Sequence, residues 1–209
     1  MNLIEFKKIK KTTNREITII CKAAIVRADE LTRYVNRYKI QKACKTGCPN
    51  YGKKWSCPPY SKSYDDISWQ YNNAIVFCFS TSMSRYLDIK NKYLAMKAAN
   101  VTLKSSIEKA ARILEKQIDG YSLLSGSCRL CKPCRCKQQE PCNHPNNMRY
   151  SMEATYLDVD ALSKKVLSHE LLWYKNKVLP EYTTTVSMVL TNYKIINNNE
   201  LKDLFETIV

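Results

Sequence analysis

No stretch of about twenty consecutive apolar residues occurs in this chain, which excludes a membrane-spanning helix at the level of sequence. The opening Met-Asn-Leu-Ile-Glu-Phe leads into Lys7, Lys8, Lys10 and Lys11, with neither an apolar segment nor a small-residue cleavage site after the charges. A secretory leader is therefore not expected, and the cytoplasm is the expected compartment. Histidine is scarce, at two residues, and neither lies near the first group of cysteines, so a mixed histidine–cysteine zinc site is incomplete there. Acids are outnumbered, 19 against 34 lysines and arginines. What the chain does have is sulfur, with ten cysteines in 209 residues. In a reducing compartment such crowding is poor support for disulfides and better support for metal ligation.

Five of the ten cysteines fall in Cys128–His144, CRLCKPCRCKQQEPCNH. Gaps this short let successive thiolates fold around one centre, and Cys128-x2-Cys131-x2-Cys134 has the ferredoxin spacing for three corners of a [4Fe-4S] cube. The fourth ligand comes from Cys136 or Cys142, and Cys142 completes the expected set. His144 reads as a residue that hydrogen-bonds the loop, with metal capping as the alternative.

An earlier group, Cys44, Cys48 and Cys57, is punctuated by Gly47, Pro49, Gly52, Pro58 and Pro59, and reads as an irregular loop presenting three thiols. Three thiolates suffice for a cube whose fourth iron stays open to a ligand. A radical-SAM loop is disfavoured, because that family's pattern resembles Cys-x3-Cys-x2-Cys, whereas this one runs x3 and then x8. Tyr51, Trp55, Tyr60, Tyr64, Trp69 and Tyr71 crowd this region and read as an apolar shield for a cluster, with stacking on a flat ligand as the alternative.

The formal charge of +15 concentrates around both cysteine groups: Lys42, Lys45, Lys53, Lys54 and Lys62 flank the first, and Arg129, Lys132, Arg135, Lys137 and Arg149 the second, against Glu140 alone. Bound thiolates would offset part of this excess, and the remainder favours an acidic redox partner or a phosphate-bearing or other anionic substrate.

Secondary structure follows from periodicity. Ile17–Cys21, Ala74–Phe79 and Thr183–Leu190 read as strands, Tyr121–Leu124 as a short one, and residues 2–11 as a basic, polar lead-in. Helices are expected after Asp29 through Tyr38, from about Asp88 to Asp119 on a stripe that includes Val101, Leu103, Ile107 and Leu114, after the N-cap candidate Asp158, and near Glu200–Phe205. The long helix reads as scaffold, Cys21 and Cys78 as buried small hydrophobes, and His169 as an ordinary surface residue on a helix. The expected fold is an α/β (or α+β) sandwich, one domain over residues 1–209, with irregular metal-binding loops at 44–59 and 126–145 at one end.

Four segments together carry a family resemblance: WSCPP at 55–59, GSCRLCKPC at 126–134, PCNHP at 141–145 and SMEATYLDVDAL at 151–162. The chain resembles, over about residues 40 to 165, an uncharacterised domain-of-unknown-function family of predicted metal-binding proteins of the iron–sulfur type from anaerobic bacteria and archaea. The resemblance implies Cys44, Cys48, Cys57, Cys128, Cys131, Cys134 and Cys142 as ligands and an oxygen-sensitive centre, with Cys136 as an addition and Tyr150 in place of an expected proline. It implies no activity.

Three functional classes are consistent with these residues. The first is an iron–sulfur protein with two [4Fe-4S] clusters: a four-cysteine cluster that carries electrons and a three-cysteine cluster whose open iron binds substrate for reductive, desulfuration or dehydration chemistry, with Glu153 as proton donor. Its partner would be a ferredoxin-like or flavodoxin-like protein or a small anion. The second is a zinc-stabilised basic module that grips RNA or another polyanion. The third is a pure electron carrier or cluster-delivery protein.

Overall fold

The computed structural model describes every residue except 1, 14, 196, 207 and 209. Five antiparallel strands form one sheet in the order β1-β2-β3-β5-β4, where β1 is Asn2–Lys11, β2 Glu16–Arg27, β3 Asn73–Ser82, β4 Tyr121–Leu123 and β5 Tyr182–Thr191. Helix α1 is Arg37–Gly47, α2 Asp65–Ser68, α3 Lys92–Gln117, α4 Val159–Val166 and α5 Asn198–Glu206. The α/β (or α+β) expectation therefore holds.

Alternation along the central strands separates two apolar layers, because successive side chains point to opposite faces. On one face Ile17, Ile19, Cys21, Phe77 and Phe79 pack under α3 and α5. On the other, Ala24, Val76, Cys78, Val186 and Met188 pack against α4 and the coil around Met152 and Leu157. Cys21 and Cys78 are wholly buried, one in each layer, as small hydrophobes. Each large apolar side chain sealed in this way contributes about 1.5–3 kcal/mol. Among the described residues no helix is long and apolar enough to cross a membrane.

Several elements differ from the sequence expectation for identifiable reasons. Residues 2–11 form an edge strand rather than a polar lead-in, pairing from Leu3 opposite Ala24 to Lys11 opposite Glu16. Its lysines mask the strand pattern, and lysine is a common guard of exposed sheet edges. The segment after Asp29 breaks into a 3-10 turn, Asp29–Tyr34, and a separate α1, whose N-cap is Asn36 accepting from the Lys39 amide at 3.0 Å. The Asp158 carboxylate caps α4 as expected, accepting from the Ala161 amide at 3.3 Å.

The layer that carries α4 also anchors both cysteine segments. Val35 bridges Leu157, the Tyr64 amide donates to the Thr155 carbonyl at 3.0 Å, and Leu124 exchanges bonds with Tyr150 and Met152. The chain thus leaves for the first cysteine segment after residue 36 and returns by 64, and leaves for the second after Leu124 and returns by Tyr150. Both departures lie against residues 150–158, which puts the two segments side by side.

Candidate metal centre and its cavities

Cys44 sits on the last turn of α1, not in a loop, and Cys48 immediately follows the helix, its amide bonded to the Cys44 carbonyl at 3.2 Å. The irregular segment therefore begins at Cys48. From there a series of tight turns carries the chain to Cys57: the Gly52 amide reaches the Pro58 carbonyl at 2.9 Å, with Gly52 in the left-handed region at φ 65°.

The result is convergence. Cys44, Cys48 and Cys57 line one cavity of about 310 Å³ together with Lys104, Ser125 and Glu153. Cys57 is only 6% exposed. Burial pushes its thiol up to about 11, with nearby Cys48 adding to the rise and Ser56 and Lys54 pulling against it. Burial likewise raises Cys44, and the charges of Cys48 and Glu153 raise it further. Charge on one of these thiols therefore disfavours charge on the others, and a bound cation would offset that repulsion.

The second cysteine group is stitched to the first. Lys54 donates from Nζ to Ser127 Oγ at 3.0 Å and to the Cys128 carbonyl at 2.7 Å, and the Cys128 amide donates to Ser56 Oγ at 3.1 Å. Trp55 Nε1 donates to the Glu140 carbonyl at 2.9 Å. Within the group, burial raises the Cys131 thiol first, and the neighbouring Cys134 and Cys128 raise it further. Cys142 Sγ accepts from the His144 amide at 3.4 Å, so it is the backbone of His144 that ties the loop. Cys136 is wholly buried and its Sγ faces the Gly52 carbonyl at 4.0 Å, a second link between the segments. Among the described residues no group of three or more His, Cys, Asp or Glu side chains is arranged as a metal site.

The aromatic residues do not form one platform. Trp55 and Tyr60 meet edge to face at 4.8 Å between centroids and Tyr51 lines the thiol cavity, but Tyr64 is core, donating to the Ala28 carbonyl at 2.8 Å, and Trp69 is exposed. His169 is not an ordinary helical surface residue. It follows α4, its Nε2 lies 2.8 Å from Thr184 Oγ1, and burial lowers its basicity.

A larger cavity of about 520 Å³ adjoins the thiol cavity, sharing Lys104, Ser125 and Glu153 with it. It exists because β4 pairs with β5 only as far as Met188, so the first half of β5 has no strand beside it there. Thr183–Val186 form one wall, Leu171–Trp173 another, and α3 the third. Tyr93, Lys97, Asn100, Val101 and Lys104 recur on α3 at helical spacing and make a second face that lines the cavity, so Val101 lies at the cavity, half exposed, rather than in the core stripe. Sequence periodicity misses this face because it is mixed in polarity. Glu115 was missed as well: it is buried on the core side of α3, held by Arg149 and Ser122. Its signal is an acid four residues after Ala111 on the apolar stripe.

No curated protein and no solved structure matches the chain. A family match does exist, and it extends beyond the cysteine segments to β3, β4 and β5. Over residues 30–191 the chain matches, and belongs to, the family described as predicted metal-binding protein (DUF2284).

Proposed function

We propose that this metal-binding protein is an iron–sulfur protein with two [4Fe-4S] clusters, one on Cys44, Cys48 and Cys57 and the other on Cys128, Cys131, Cys134 and Cys142. The observation that carries this reading is the single cavity lined by three thiols and Glu153. The donor set is all sulfur, which suits iron–sulfur chemistry. Cys136 is wholly buried with its Sγ 4.0 Å from the Gly52 carbonyl, and Cys142 is the fourth sulfur of this reading.

When bound, a three-thiolate cube supplies an open iron for Lewis-acid or reductive chemistry, and the four-thiolate cube supplies electrons. The chain's own residues do the rest. Glu153 stands where both cavities meet and would hold or deliver a proton at its carboxylate. The Lys54 and Trp55 bonds keep the two sulfur groups in fixed relation, a condition for passing electrons between them. The His144 amide bonded to Cys142 Sγ is a lever on reduction potential, since N–H···S bonds stabilise the reduced, more negative state.

The test is metal and sulfide analysis of protein prepared without oxygen. About eight irons and matching acid-labile sulfide per chain are expected from two cubes. Colourless protein holding one or two zinc ions would overturn the proposal.

A further inference from the structure

The geometry points to a binding site for an organic carboxylate with an apolar body in the cleft between α3 and the first half of β5, its acid group next to Lys104 and directed at the thiol cavity. This goes beyond the metal reading and does not depend on it. At about 520 Å³ the cleft has the volume of a small-molecule site.

Its lining combines exposed apolar side chains with polar ones. Toward the rim, Tyr93, Val101 and Trp173 are 59%, 55% and 59% exposed, an unusual grouping of large apolar side chains facing water. Lys104, Ser125 and Glu153, shared with the thiol cavity, are polar, and Thr185 adds a hydroxyl on the β5 wall. Ser125 Oγ and Thr185 Oγ1 are buried and have no hydrogen-bond partner among the described residues. Thr185 as a whole is 6% exposed. Unmet buried hydroxyls are costly, at about 1–3 kcal/mol each, and two of them in one cavity wall is the arrangement expected where a ligand provides the acceptor.

The Lys104 ammonium lies against Gly126, where a side-chain carbon would stand 2.6 Å from Nζ. Lys97 and Lys104 form no ion pair among the described residues, whereas Arg129 is already paired with Glu108. Two free lysines against the one carboxylate of Glu153 leave a single positive charge in the cleft. That balance fits a monoanionic carboxylate better than a phosphate dianion.

The experiment is calorimetric titration of the full chain, as purified without oxygen, with octanoate, octanamide and octyl phosphate, with iron content measured on the same samples. Octanoate is expected to bind at least about tenfold more tightly than octanamide, the difference a charge-assisted hydrogen bond makes. Lys104→Met should remove that advantage while leaving octanamide affinity and iron content unchanged, and Thr185→Val should weaken octanoate without changing the fold. Equal affinity for octanoate and octanamide in the unmodified protein, no binding of either, or octanoate binding that survives both substitutions would overturn the inference. Octyl phosphate binding tenfold above octanoate would overturn the carboxylate assignment. Iron-replete protein that fails these tests sinks this inference alone, and octanoate binding to iron-free protein sinks only the cluster proposal.

Discussion

Trp55 reaches across from the first cysteine segment to donate its indole N–H to the carbonyl of Glu140 in the second, at 2.9 Å. Glu140 itself pairs with Arg135 at 3.1 Å, so one bond holds a turn that lies between Cys134 and Cys142. Trp55→Phe keeps most of the apolar body and deletes the donor. The expected cost is about 1 kcal/mol of stability, the usual net value of one hydrogen bond. Both sulfur groups should still load metal, but with faster loss to a chelator. An unchanged chelation rate would show that the bond does not couple the segments.

On the proposed assignment each of the two side-by-side cysteine groups holds its own cluster, so their losses should be separable. Cys48→Ala is expected to remove about half the iron and spare the absorbance of the other centre, and Cys131→Ala to do the reverse. Cys131→Ala should also cost more stability, because the second segment has only a short 3-10 turn, Arg135–Gln138, as regular structure, and depends on its metal to fold. Iron and sulfide assays with thermal melts decide the matter. If either substitution empties both groups, the sites share one metal centre.

Much of this architecture could be read from local pattern, and the exceptions share a physical cause. The strands at Ala74–Phe79 and Thr183–Leu190 and the long helix are legible because each buries a face with a regular repeat. The gathering of Cys44, Cys48 and Cys57 is legible because short chain gaps force proximity. Residues 2–11 are not legible as a strand, since an edge needs lysines more than it needs alternation. Cys44 looks like a loop residue from the glycine and prolines after it, yet the Asn36 cap starts a helix early enough to include it. The large cleft is invisible in the sequence: α3, residues 171–173 and β5 come together only where β4 stops short, a tertiary fact with no local signature.

Glu115 ties the helical layer to the chain that returns from the second cysteine segment. Its carboxylate, 9% exposed, accepts from Arg149 Nε at 2.7 Å and from Ser122 Oγ, and Arg112 lies 3.6 Å away. Arg149 in turn donates to the carbonyls of Asn146 and Met148 at 2.7 and 2.9 Å. Glu115→Gln removes the charge and leaves a nearly buried guanidinium without its counter-ion, at an expected cost of about 3 kcal/mol. A urea midpoint shifted by less than a third of that would mean that water reaches Arg149 readily.

The interior thiols give a prediction with a definite sign. Burial pushes Cys78 up to about 12, and Cys21 is raised well above its ordinary value by burial first and by Cys78 second. The unfolded chain releases these protons near the ordinary thiol value of about 8.5, while the folded chain keeps them. Below that pH both states hold the proton and the stability is fully present. As pH rises from about 8.5 toward 12 it is lost, by up to about 1.4 kcal/mol per pH unit for each thiol. Cys78→Ala should lower stability at neutral pH by about 1–2 kcal/mol through the small cavity it leaves, with iron content unchanged. It should also flatten the alkaline decline, so the variant and the parent converge in urea midpoint above about pH 9 and cross near about pH 10. The difference between the two curves reports Cys78 together with the part of the Cys21 and Tyr182 shifts that its charge supplies. Parallel curves across that range would mean that water reaches Cys78 in the folded state, and that the layer beneath α4 is looser than its packing indicates.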